Sequence, residues 1–205
     1  MGVKSYSAKK DGRTYLSRNF QVNEFACNDG SDTVLVSSEL VALLQQIRDH
    51  FGKTVVINSG YRTSAYNKKI GGATHSQHVQ GTAADIVVSG ISPLAVAQYA
   101  EYLQPTSGGI GVYTSFTHVD VRASRSRWDN RSGKEVVVSG WPGYTEQAKT
   151  EAPVESEEVQ QATVWAKQHG IMTGYADGEM HLDDPDTRRQ LLLVIYRYAK
   201  LDGKA

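Results

Sequence analysis

Two separated segments constrain this chain more than anything else in it. They are Ser76-Gln77-His78-Val79-Gln80-Gly81-Thr82-Ala83-Ala84-Asp85 and Phe116-Thr117-His118-Val119-Asp120-Val121-Arg122. Two neutral imidazoles and a carboxylate, from His78, Asp85 and His118, make a three-ligand set suited to zinc, with a fourth position left for water. An open position of that kind separates a catalytic zinc from a structural one, which four protein ligands normally close. Any fold of this chain must bring these distant segments to one point, and the chemistry points to a metal-activated hydrolase.

The spacing agrees. Gly81 sits between the first two ligands, where a tight turn after His78 returns Asp85 to the same ion. Asp85-Ile86-Val87-Val88 reads as a strand leading away. Val119 and Val121 alternate with His118, Asp120 and Arg122, the period of a half-buried strand, so His118 and Asp120 share a face.

Ser76-x-His78-x-x-Gly81-x-Ala83-x-Asp85 followed by His118-Val119-Asp120 resembles the zinc D-alanyl-D-alanine carboxypeptidases and their relatives. Those relatives include phage L-alanyl-D-glutamate endopeptidases, lysostaphin-like enzymes and the hedgehog signalling domain. The resemblance runs from about Leu16 to Arg122 and takes in Asn19-Phe20, Glu24-Phe25, Ser59-Gly60-Tyr61-Arg62-Thr63, Asn67, Gly71-Gly72-Ala73 and Gly108-Gly109-Ile110-Gly111-Val112-Tyr113. It implies His78, Asp85 and His118 as zinc ligands and Arg62 as the active-site arginine. A guanidinium offers five donors in a planar fork and stays charged, which suits a substrate carboxylate or the oxyanion of a tetrahedral intermediate. Ser76 has two readings, a hydroxyl that orients substrate or one that caps a turn.

The chain departs from its relatives at one place. Several branches carry Glu or Asp three residues before the last zinc histidine, and others a His two before it. Here those positions are Ser115 and Phe116, and neither is a strong base. Asp120 is the nearest ionisable group on the ligand face. It is the candidate general base, with orientation of a zinc histidine as its alternative role. Without a base, the chain would be a zinc-containing wall-binding protein and not an enzyme.

Composition narrows the classes. Lys+Arg and Asp+Glu both number 22 in 205 residues, so no basic excess points to nucleic acid. The single cysteine, Cys27, excludes an internal disulfide and reads as a small buried hydrophobe. No apolar run approaches the ~20 residues that span a bilayer. Residues 1–18 lack the apolar core of a secretory signal. A wall substrate then fits a phage endolysin, made in the bacterial cytoplasm and released by phage lysis; a removed signal or unconventional export are the alternatives.

The predicted fold is α+β: a small antiparallel sheet carrying the zinc site with helices on one side, plus a small helical C-terminal module. Leu40, Leu43, Leu44, Ile47 and Phe51 recur at helical spacing behind Ser37 or Ser38 as cap, and Gly52 ends that helix. Thr54–Asn58 reads as a strand delivering Arg62. A second helix starts after Ser92 with Pro93 in its first turn and ends near Leu103. Ala123 to Gly143, polar and Gly-rich, reads as an active-site flap or the end of the catalytic domain.

The predicted organisation is a zinc peptidase domain over 1–144, a linker over 145–158, and a wall-binding module over 159–205. The linker is rich in Glu, Thr, Ala and Gln with little apolar content. Within the last part, Trp165-Ala166, then Gly170-Ile171-Met172-Thr173-Gly174-Tyr175-Ala176-Asp177-Gly178, and later Asp186-Thr187-Arg188, are similar to a single surface-layer homology repeat. That implies affinity for secondary polymers of bacterial cell walls. Peptidoglycan is the implied substrate, through a D-Ala–x bond in the stem peptide, with the L-Ala–D-Glu bond as the alternative.

Overall fold

In a computed structural model describing residues 2–144 together with Trp165 and Tyr196, strand β1 (Val3–Ser7) opens the chain. A one-turn helix, α1 (Ala8–Asp11), follows it, capped by the Ser7 hydroxyl, which accepts from Lys10 N at 3.1 Å. A 3-10 turn (Val22–Phe25) then leads to β2 (Thr33–Ser37), which pairs antiparallel with β1 as a two-stranded sheet. Ser37 ends β2 and begins α2 (Ser38–Phe51), its Oγ accepting from Glu39 N at 3.2 Å and Leu40 N at 3.4 Å. The expected apolar face is present: Leu40, Leu43, Leu44 and Ile47 are all buried.

After α2 come β3 (Val55–Ser59), α3 (Ser64–Lys69), β4 (Ala83–Val88) and α4 (Pro93–Leu103). The expected cap of α4 is in place, with Ser92 Oγ accepting from Ala95 N at 3.2 Å. Four strands complete the element order: β5 (Gly109–Val112), β6 (Thr117–Asp120), β7 (Ser126–Asp129) and β8 (Val136–Val137).

The fold is α+β, and its second sheet is larger than the small antiparallel one expected. Six strands run in the order β3-β4-β6-β5-β7-β8, antiparallel throughout except for the parallel β5–β7 pair. The stretch 123–143 is the end of the compact unit that carries this sheet, the second of the two readings, and it is folded into that unit. It supplies β7 and β8, and Trp141 is buried in the core.

Alternation divides this sheet. Ile86, Val88, Ile110, Val112 and Val119 join the core with Leu40, Leu44 and Ile47 of α2 and Val96, Ala97 and Ala100 of α4. Asp85, Gly109, Gly111, His118 and Asp120 point the other way. Arg127 locks the approach to β5. Its buried guanidinium pairs with Glu101 and donates to the carbonyls of Gly108 at 2.5 Å and Ser107 at 3.1 Å.

The described residues belong to two units, one spanning 2–51 and 55–144, the other holding 52–54 with Trp165 and Tyr196. The elements above lie in the first. In the second, the rings of Trp165 and Tyr196 have centroids 5.8 Å apart. The linker and the surface-layer-like repeat expected over 145–205 otherwise lie outside the described residues. No helix among the described residues is long and apolar enough to cross a membrane.

Candidate metal centre

His78 reaches the site from a turn, Asp85 from β4 and His118 from β6. Gly81 makes that turn, with φ of 71°, and any side chain there would meet the Leu35 carbonyl oxygen 2.5 Å from its Cβ. The turn is closed by Gly81 N donating to the His78 carbonyl at 3.1 Å, and tied to β2 by Ser37 N donating to the Gly81 carbonyl at 2.8 Å. Antiparallel register then sets Asp85 directly opposite His118.

Three ligand atoms converge there. His78 Nε2 lies 3.2 Å from His118 Nδ1 and 3.3 Å from Asp85 Oδ1, and His118 Nδ1 lies 2.9 Å from Asp85 Oδ1. A tetrahedral zinc with bonds of about 2.0–2.1 Å needs ligand atoms about 3.3 Å apart. The triangle is already close to that size, so these residues fit a zinc ion. All three are buried, and they form a group able to hold a metal.

The far side of each ligand is also occupied. His78 Nδ1 meets the Gly60 carbonyl at 2.7 Å, which makes Nδ1 the protonated nitrogen and leaves Nε2 as an electron-pair donor. His118 Nε2 meets Asp120 Oδ2 at 3.1 Å, which likewise frees Nδ1. Asp85 Oδ2 pairs with Arg62 Nη2, and Arg62 Nε donates to Ser59 Oγ at 2.7 Å.

Electrostatics follow the contacts. Burial disfavours a charged His118, but Asp120 and Asp85 outweigh it and hold the imidazolium up to about 9 in the metal-free cluster. Burial pulls His78 below its usual value, only partly offset by Asp85. Asp85, despite its burial, is held far below the carboxylate range by hydrogen bonds from His118 and His78. Asp120 is likewise held low against its burial by His118 and Arg122.

The structure brings all six expected residues to one region but gives three of them tasks that differ in emphasis. Arg62, expected to face substrate, is bonded to Asp85. Ser76 Oγ accepts from His78 N at 3.3 Å, the turn-capping alternative. Asp120, the candidate base, has no exposed side-chain surface. Its oxygens accept from Gly109 N at 2.8 Å, Arg122 N at 3.0 Å, and Arg122 Nε at 2.9 Å. A carboxylate so enclosed, on the imidazole nitrogen opposite the cluster, has the geometry of an orienting partner.

Sequence reasoning missed Gly60, Ser59 and Arg122 as supports of the site. Gly60 acts through its backbone carbonyl and leaves no side-chain signal. Arg122 was legible, since it follows His118 and Asp120 at the same period of two.

A model of the family described as Peptidase M15 matches residues 18–120, half of the chain and every residue of the cluster. No curated protein matches the sequence.

Proposed function

The chain belongs to the Peptidase M15 family of zinc metallopeptidases, and from that premise we propose that it hydrolyses stem peptides of bacterial peptidoglycan, with zinc held by His78, Asp85 and His118. The observation that carries this reading is the triangle of ligand atoms with edges of 2.9, 3.2 and 3.3 Å. When bound, zinc supplies Lewis acidity, which activates water near neutral pH and polarises a scissile carbonyl.

The chain's own residues do the rest. Gly60 and Asp120 hold the two imidazoles in the tautomers and ring planes that ligation needs. Arg62 uses Nε and Nη2 to steady Ser59 and Asp85, and its remaining donors face the substrate carboxylate or the oxyanion. We assign Asp120 to orientation of His118 in preference to proton transfer, because donors already fill both its oxygens. Asp120→Asn decides the matter. Weakened zinc with activity restored by excess metal marks an orienting partner; unchanged zinc affinity with kcat lowered by about 10²–10⁴ marks a base.

The bond is assigned to D-Ala–x, the cut made by the carboxypeptidases the motif resembles. Mass spectrometry of muropeptides after digestion tests it, and products ending at L-Ala would give the L-Ala–D-Glu endopeptidase instead. A second reading, a wall-binding protein without activity, draws on the enclosure of Asp120 and on exposed Ser115 standing where relatives carry an acid. It requires that intact and chelator-treated protein leave the muropeptides equally uncut. The proposed setting is a phage endolysin or other wall hydrolase, with peptidase residues over 1–144, a linker over 145–158, and a surface-layer-like repeat over 159–205 that binds secondary wall polymer. Removing 159–205 should weaken binding to purified walls while cleavage of small soluble muropeptides continues.

A further inference from the structure

Strand β5 carries glycine at both positions that face the cluster. Gly109 opposes Asp120 and Gly111 opposes His118 across β6, while Gly111 opposes Trp128 across β7. Each glycine is matched to one neighbour. A Cβ on Gly109 would lie 2.2 Å from Asp120 Oδ2, and a Cβ on Gly111 would lie 2.2 Å from Trp128 Cε2. Together the two glycines leave a trough across β5. Asp120 leans into it from β6, and the indole of Trp128 leans in from β7.

These groups close a circuit. The Trp128 and His118 rings have centroids 5.0 Å apart. His118 Nε2 lies 3.1 Å from Asp120 Oδ2, and Arg122 Nη2 donates to the same oxygen at 2.5 Å. The Arg122 guanidinium carbon then lies 5.9 Å from the centre of the Trp128 ring, within reach of its π face. The indole is fixed at its polar edge as well. Trp128 Nε1 donates to the Tyr113 hydroxyl at 3.2 Å, and Tyr113 stacks on Phe116 with centroids 4.2 Å apart.

We infer that Trp128 is a positioning residue for the metal centre. Seated over Gly111, its indole sets the ring plane of His118 and holds Arg122 against Asp120, so metal affinity depends on a side chain that ligates nothing. The inference rests on the zinc reading above and adds a residue outside the 18–120 family match. A tryptophan serving only as core packing would alter folding stability and leave the metal affinity of the folded protein alone.

The test is zinc titration of chelator-stripped full-length protein, with circular dichroism to confirm the fold of each variant. Trp128→Leu should weaken zinc by about 10-fold or more, the range seen for partners behind a ligand. Trp128→Phe keeps a ring against His118 and should lose no more than a few-fold, a rescue that bulk alone would not give. Gly111→Ala leaves Trp128 in the sequence but evicts its indole, and should reproduce the loss in Trp128→Leu. Because Trp128 and Asp120 act through the same imidazole, the loss in Trp128→Leu/Asp120→Asn should fall well short of the product of the two single losses. Wild-type affinity in folded Trp128→Leu overturns the inference, as does a double variant whose losses multiply. If Trp128→Leu does not fold, the same cycle run with Gly111→Ala decides by the same criteria. A wild type that takes up no zinc overturns the metal reading itself, whereas tight wild-type binding with an indifferent Trp128 overturns this inference alone.

Discussion

The two faces of the six-stranded sheet come from the same strands and obey opposite rules. Along β6, Val119 turns toward the helices and is fully buried, while His118 and Asp120 turn toward the cluster and are buried as well. Apart from the Arg127–Glu101 ion pair, the helix-facing side is filled mainly by apolar side chains gathered from along the whole chain. The other side buries charge, which is costly unless every group finds a partner. Most of those partners come from elsewhere in the chain: the Gly60 carbonyl for His78, Arg62 for Asp85 and Gly109 N for Asp120, while Arg122, two residues on, adds to the last. The apolar face thus stabilises the fold, and the polar face is a site that the fold holds in place.

The comparison is broken most severely at the ligands. His78→Ala, Asp85→Ala and His118→Ala should each lose stoichiometric zinc and all hydrolysis while the apolar face keeps the protein folded. Metal analysis of the purified variants checks this, and a variant retaining full zinc removes that residue from the set. The mirror experiment is Leu44→Ala on α2. Leu44 is fully buried, so its truncation should cost about 2–5 kcal/mol of stability. Denaturant unfolding would measure that loss, and the folded fraction should still bind one zinc. Loss of zinc from folded Leu44→Ala would mean that the two faces are not separable.

A pH titration sharpens the contrast by moving only the polar face. In metal-free protein the His118 pKa is raised from 6.5 to about 9, so the folded state binds a proton that the unfolded state releases earlier. That contribution is fully present below about pH 6.5 and is lost as pH rises through about 9, amounting to no more than about 3 kcal/mol. His78 works in the opposite sense. Its lowered pKa means that stability falls as pH drops below 6.5. Chelator-treated protein should therefore be most stable near pH 6.5, with Tm declining toward pH 9. Zinc affinity should rise over that same interval, because the ion needs His118 without its proton. Parallel trends in Tm and zinc affinity would contradict the assignment of His118 to both roles.

The sequence made the polar face legible where its parts lie close together. The alternation of His118, Asp120 and Arg122 placed them on one side of a strand, and Gly81 marked the turn between two ligands. Helices α2 and α4 were equally plain from spacing and caps. Strands β7 and β8 were not. Arg127, between Ser126 and Trp128, breaks any apolar alternation, and its charge is acceptable only because Glu101 and carbonyls of the segment before β5 surround it. The parallel β5–β7 pairing depends on that distant match, so Ala123–Gly143 carried the composition of a loop. The supporting role of Trp128 was hidden for the same reason: its seat is an absence, the missing side chain of Gly111.

Ser76 offers the smallest effect and the finest division between site and scaffold. Its hydroxyl accepts from His78 N at 3.3 Å, a long bond at a half-buried position, and the same turn is also held by Gly81 N and by Thr82 N donating to the Gln77 carbonyl at 3.0 Å. Removing one of several redundant contacts should cost about 1 kcal/mol or less. If the hydroxyl only closes the turn, Ser76→Ala should bind zinc as the wild type does, with kcat and KM on a soluble muropeptide unchanged within about twofold, an energy difference of only ~0.4 kcal/mol. If it also bonds the substrate in ground state and transition state alike, KM should rise with kcat unchanged. If the bond forms only in the transition state, kcat should fall with KM unchanged. Ser76→Thr separates the cases further, since it keeps the hydroxyl but adds a methyl group: a turn-capping role tolerates the exchange, whereas a substrate contact beside the buried cluster would be crowded by it. Steady-state kinetics on the two variants, at saturating zinc, therefore place Ser76 with the ligands' surroundings or with the substrate.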